Sequence, residues 1–265
     1  MNITVIRVLF LSCLLVSVVQ SCDTPLVKTE NLEDWPPELL AVKENNNKMP
    51  SFSCDIGFSS KTKGRRVDAD GKAFVDKKKN RVKIILKDTL AGETLLDLVM
   101  IRNRVSLYLF NPQGGVILRG NVGDLDLGKY FENIKLKLKD LIELVKGESY
   151  LLENPDSFMK QPGDGETFFK LVQNRDSQVF TVDKKTGRIT KLVMFKDNKE
   201  VYRLFYKKYL VNKDFYFPKR SDFYHSLSKS KTIIYLSNLR FKRPLKSSIF
   251  RLKSYPKAKE IIDRP

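Results

Sequence analysis

Few residues of this 265-residue chain have a type and spacing that could do chemistry. His225 is the only histidine, so no histidine-based metal cluster can form, and a Ser-His-Asp triad could be built only around it. No G-x-S-x-G elbow is present to expose a nucleophilic serine. Lying in an aromatic run after Phe223 and Tyr224, His225 reads as a structural or surface residue. The acidic pairs Asp68/Asp70 and Asp124/Asp126 could in principle bind calcium or act as acid and base. Their spacing supplies no full ligand set, and turns favour Asp at such places anyway. Gly114-Gly115 lies between strand-like segments, which makes it a hairpin turn rather than a phosphate cradle. The expectation is a protein with no catalytic residue and no metal.

The cysteines carry more information. Cys22 follows a short apolar run, Leu9 to Val19, which sits behind a single cation, Arg7. That run is too short for a permanent membrane span, and the small Ser21 suits cleavage just before the cysteine. Val19-Gln20-Ser21-Cys22 resembles a lipobox. Residues 1–21 are then a lipoprotein signal peptide, and Cys22 carries a covalent diacylglycerol and an N-acyl chain, with no other cofactor expected. An ordinary secretory peptide is the alternative. Asp23, directly after the anchor, leaves inner or outer membrane placement open. Cys13 leaves with the signal and Cys22 is acylated, so Cys54 has no intramolecular partner and no disulfide framework is possible.

The formal charge of +18 is clustered: Lys61, Lys63, Arg65 and Arg66; Lys77, Lys78, Lys79, Arg81 and Lys83; and a C-terminal group from Arg240 to Lys259. Export argues against nucleic acid as partner. Anionic lipid head groups or an acidic protein are the expected partners, unless the charge is a solvated face that keeps the protein soluble. With 42% apolar and 11% aromatic residues, the chain can fill one large core.

Residues 22–33 read as a lipidated tether that reaches roughly 40 Å when extended. A short helix, Glu38 to Asn45, is expected to end at Asn45, Asn46 and Asn47. From Phe52 the period becomes two: Phe52, Cys54, Ile56 and Phe58 alternate with polar residues, so Cys54 faces the core. A turn is expected at Asp68 to Gly71, followed by strands at Lys72–Asp76, Val82–Leu86, Leu95–Ile101 and Val105–Phe110. Asp124 to Gly147 breaks the pattern with a helix whose apolar stripe includes Leu136, Leu138, Leu141, Ile142, Leu144 and Val145, stopped by Gly147. Residues 153–165 read as a loop. Six further strands run from Thr167 to Phe241. The fold expected is mainly β with helices, about ten or eleven short strands in a sheet large enough to curl strongly or close.

One turn stands out. In Asp88-Thr89-Leu90-Ala91-Gly92-Glu93, Leu90 sits mid-turn among polar residues, either held out to solvent or folded back on the sheet. The run from Asn80 through Leu90-Ala91-Gly92 to Leu98 resembles the strand, loop and strand of the LolB family. These are outer-membrane receptors that take lipoproteins from the soluble carrier LolA. The helix ending at Gly147, the turn Gly187-Arg188-Ile189, the segments Val201–Leu204 and Tyr206–Tyr209, and the Phe217-Pro218 step extend the resemblance over residues 35 to 245.

The resemblance implies an incomplete (unclosed) antiparallel β-barrel with a helical lid, a half-barrel domain taken as 34–245, and the basic tail at 246–265 falls outside it. It implies that the curled sheet holds acyl chains of lipoproteins, accepts them from a soluble LolA-like carrier and delivers them to the outer membrane. Exposing a chain of about 16 carbons to water would cost roughly 12 kcal/mol at about 0.8 kcal/mol per methylene. Leu90 takes the place of the family's membrane-delivery loop leucine. By alternation, Phe52, Cys54, Ile56, Phe58, Val82, Ile84, Leu86, Tyr202, Leu204 and Tyr206 are the residues expected to line the cavity, or else to pack an ordinary core. In that second case the domain is an envelope sensor or scaffold with no transfer role.

Overall fold

The computed structural model describes residues 27–28, 35–62, 64–110, 114–125, 137–149, 151–152, 154–241 and 244–262. The signal peptide, Cys22, Asp23 and most of the tether lie outside the described residues, as do Asp126 and Leu136. The strands are β1 (Val27–Lys28), β2 (Phe52–Thr62), β3 (Arg65–Asp76), β4 (Arg81–Asp88), β5 (Thr94–Ile101), β6 (Arg104–Leu109) and β7 (Val116–Asn121). They continue as β8 (Ser157–Pro162), β9 (Glu166–Gln173), β10 (Asp176–Asp183), β11 (Ile189–Lys196), β12 (Lys199–Val211), β13 (Tyr216–His225), β14 (Ser230–Phe241) and β15 (Lys259–Ile262). Among the described residues two α-helices accompany them, α1 (Pro37–Lys48) and α2 (Leu138–Lys146).

All fifteen strands belong to one sheet, ordered β1-β8-β9-β10-β11-β12-β13-β14-β2-β3-β4-β5-β6-β7-β15. The edges are different strands, so the barrel is unclosed. Long pairing of β14 with β2, from Lys231↔Lys61 to Phe241↔Phe52, joins the two halves. Inward residues of both halves and the apolar faces of both helices form one continuous core, which requires the sheet to curl around the helices.

The strand count exceeds the expected ten or eleven because short edge strands carry little periodic signal. β8 occupies part of the expected loop and ends at Pro162, a position an outer strand tolerates. The expected turn at Asp68 to Gly71 is instead the middle of β3. Gly71 is there because β4 comes close: a Cβ would lie 1.8 Å from the Ile85 carbonyl oxygen.

The basic C-terminal segment crosses the outer face of the first half. β15 pairs in parallel with β7. Tyr255 stacks on Tyr108 at 3.6 Å and donates to Asp97 at 2.8 Å. Beneath it Lys83 and Asp97 form a buried ion pair, and Lys83 also donates to the Arg251 carbonyl at 2.8 Å. Arg81 lies over the Phe250 ring. This segment therefore satisfies charges that the alternation of β4 and β5 places on the outer face.

Candidate functional site

The residues expected to line a cavity divide into two groups. Phe52, Cys54, Ile56 and Phe58 on β2 and Val82, Ile84 and Leu86 on β4 are each 5% exposed or less, packed within the core. Burial pushes the Cys54 thiol up to about 12, which leaves it an inert apolar filler. Leu204 and Tyr206 on β12 are just as buried, and together with the partly buried Tyr202 of β12 and with Phe223 of β13 they also line a crevice. Asp140, Glu143 and Leu144 of α2, with Glu148 just beyond it, form the opposite wall. The crevice is narrowed to about 10 Å³, close to the space of one water.

The helices that cover this face are fixed by different means. α1 runs to Lys48, past the three asparagines expected to end it, because tertiary bonds hold those residues in helical geometry. Asn45 accepts from the Tyr216 N–H at 2.8 Å and donates to the Tyr216 carbonyl at 3.1 Å. Asn46 makes the same pair with Ser149, at 3.3 and 3.0 Å. A run of asparagines inside a helical pattern was the available signal for this pinning.

α2 presents Leu138, Leu141, Ile142, Leu144 and Val145 to the core, an apolar stripe fixed by its sequence spacing. It stops at Gly147, whose φ of 70° and seat against the Phe217 ring exclude a side chain: a Cβ would lie 2.2 Å from the ring. In the first turn Asp140 is enclosed against the crevice, and burial raises its carboxyl to about 6, despite the nearby Lys137 and Lys139.

At one end of the sheet, the β4–β5 turn holds Leu90 98% exposed. It projects to solvent and does not fold back on the sheet. The turn is built to hold it there. Asp88 accepts from the Leu90 and Ala91 N–H groups at 2.8 and 2.7 Å, and Gly92, at φ 70°, donates to the Asp88 carbonyl. Thr89 donates from its hydroxyl to Asp70 and from its N–H to the Asp68 carbonyl. Asp68 also pairs with Arg66. The Asp68/Asp70 pair thus braces this loop, while Asp124 accepts from Asn121 at 3.2 Å.

His225 is the last residue of β13, where its Nδ1 accepts from the Ser228 N–H at 3.3 Å and lies 2.9 Å from the Ser228 hydroxyl. It shapes the β13–β14 turn. Among the described residues no cluster of three metal-ligating side chains occurs.

No protein-family model and no curated protein matches the sequence. Solved structures do match it. A LolA superfamily protein from Nitrosomonas europaea superposes with a TM-score of 0.58 at 12% identity, over 82% of this chain and 98% of that one. A DUF1329 family protein from Desulfovibrio piger gives 0.58 at 14% identity, over 81% and 95%. A domain described as belonging to an outer membrane lipoprotein-sorting protein of Vibrio parahaemolyticus gives 0.57 at 13% identity, over 80% and 95%. The unclosed, helix-covered β-barrel of this chain is the fold these three structures share.

Proposed function

We propose that this protein is an envelope lipoprotein that binds acyl chains of other lipoproteins between α2 and the inner face of β12 and β13. The crevice under α2 is the observation that carries this reading. It runs between an amphipathic helix and the apolar side chains Leu204 and Phe223, and it extends into the core if α2 lifts. The fold shared with LolA superfamily and lipoprotein-sorting structures supports the same reading. In it, Cys22 is the acylated anchor, the site is closed when empty, and relative affinities rather than nucleotide hydrolysis drive transfer. The exposed Leu90 loop supports a LolB-like receptor role, in which chains arrive from a soluble carrier and leave to the outer membrane past the leucine.

Mixing the protein with a palmitoylated lipoprotein tests this directly. The cargo stays soluble and co-migrates with the domain if the reading holds, and it aggregates or partitions alone if it does not. A second reading is favoured by the near-complete burial of the seven β2 and β4 residues: an envelope scaffold or sensor whose interior is filled by its own side chains. Failure to hold cargo selects that reading.

A further inference from the structure

Leu90 is not alone at its end of the sheet. The strand register places the β13–β14 turn at the same rim as the β4–β5 turn. Lys231 at the start of β14 pairs with Lys61 near the end of β2, β2 turns into β3 there, and Ala69 of β3 pairs with Asp88 beside Leu90. At the tip of the β13–β14 turn, Leu227 is 78% exposed. Four strand spacings separate the two tips, about 19 Å along the sheet.

The Leu227 turn is also braced. Ser226 N–H donates to the Val201 carbonyl at 2.9 Å, His225 takes the Ser228 N–H, and the Ser228 and Ser230 hydroxyls lie 2.8 Å apart. Two large apolar side chains are therefore held out on rigid hairpin tips, where neither gains any packing.

Charge at this rim favours one partner. Lys61, Arg65, Lys87 and Lys229 are exposed and belong to none of the ion pairs found among the described residues. Of the nearby acids, Asp68 is paired with Arg66, Glu200 with Arg203, and Asp88 is bonded within its own turn, which leaves Asp70, bonded to the Thr89 hydroxyl, and Glu93 exposed and outside the ion pairs found among the described residues. A groove of about 700 Å³ beside the Leu227 turn is lined by Phe205, Tyr224, His225 and Lys229 and by the Glu200–Arg203 ion pair. With Arg203 paired to Glu200, the groove keeps Lys229 as its net cation, and its size and that charge suit a phosphodiester head group.

We infer that this rim docks on an anionic bilayer at two points, Leu90 and Leu227 entering the interface together while the cations between and beside them sit at head-group level. The inference rests on the membrane-facing role proposed for Leu90 and adds a second contact, an orientation and a lipid class. Two points fix how the barrel meets the membrane, which one leucine cannot do.

The variants Leu90→Cys, Leu227→Cys and Val211→Cys of the full acylated chain, each labelled with a polarity-sensitive fluorophore, test it. Cys54 is buried and Cys22 carries lipid, so labelling is selective. Val211, 61% exposed, lies at the opposite end and serves as control. In vesicles of equimolar phosphatidylcholine and phosphatidylglycerol, labels at 90 and 227 shift to the blue and are quenched by brominated acyl chains, and the label at 211 is not. Leu227→Glu lowers quenching of the label at 90 severalfold, and high salt does the same.

Quenching at 90 with none at 227 overturns the two-point inference while leaving the Leu90 role intact. No quenching at either tip overturns both. Shielding of 227 by an added soluble acyl-chain carrier, with none by lipid, overturns the inference in favour of protein docking.

Discussion

The two helices cover the same apolar face, yet they are fastened in ways that suit opposite roles. α1 is tied along its last turn by four hydrogen bonds from Asn45 and Asn46 to the backbone of Tyr216 and Ser149, and a 2.6 Å ion pair from Glu38 to Lys160 holds its first turn. α2 is fixed at its C-terminal end, by Gly147 against Phe217 and by Glu148, which pairs with Lys77 and Lys146. Its first turn carries the enclosed Asp140 over the crevice. Polar bonds of fixed geometry make α1 a wall. α2 is held by apolar burial along its length, Leu138 and Leu141 included, and by polar contacts only at its C-terminal end, so in the proposed function it is the element that lifts, pivoting about Gly147.

The largest effect is expected at the pivot. Gly147→Ala forces a side chain into the left-handed region and into the Phe217 ring, and should cost about 3 kcal/mol in chemical denaturation. Asn45→Ala should cost about 2 kcal/mol, because it leaves buried backbone groups of β13 unpaired. Hydrogen exchange then tells the helices apart. Asn45→Ala releases α1 amides selectively, whereas in the unaltered protein α2 amides exchange sooner than those of α1.

Asp140 sharpens the comparison through pH. Its folded carboxyl is raised to about 6 from an ordinary 3.8, so the closed state binds the proton more tightly than the open or unfolded chain. Its stabilisation is present in acid and is lost as pH rises through about 6. Protection of α2 should therefore be stronger at pH 5 than at pH 7. Asp140→Asn should remove that dependence and stabilise the closed form at pH 7 by about 1 kcal/mol. The smallest effect on stability belongs to Leu90→Glu, within about 0.5 kcal/mol, because the side chain touches nothing. Acceptance of cargo should persist in that variant while delivery to membranes fails.

The period-two alternation of β2, β4 and β12 was legible because apolar residues facing the core alternate with polar ones on the outer face, even on β4, whose outer Arg81 and Lys83 are themselves covered, and the apolar stripe of α2 with its terminal glycine was equally plain. What escaped depends on distant partners. The asparagines read as a helix end because only the backbone of β13 and Ser149 makes them helical. β3 read as interrupted because Gly71 looks like a turn residue until β4 is placed against it. β15 gave no signal of its own, since its pairing with β7 joins segments far apart in the chain. Within the candidate site, alternation found the β12 residues that line the crevice. It could not separate them from the β2 and β4 residues sealed beneath the helices, because both sets share one periodicity. Leu90 was visible as a misplaced apolar residue in a polar turn. Leu227 lies in a similar turn, and its relation to Leu90 emerges only from strand register.

A lipoprotein whose acyl chain carries a photoreactive diazirine offers the most direct test of the lid. After mixing and illumination, crosslinks are expected on Tyr202, Leu204, Tyr206 and Leu144, and they should diminish when α2 is held shut. Crosslinks confined to the outer face of the sheet, or none on the domain at all, would contradict an acyl-chain site beneath α2.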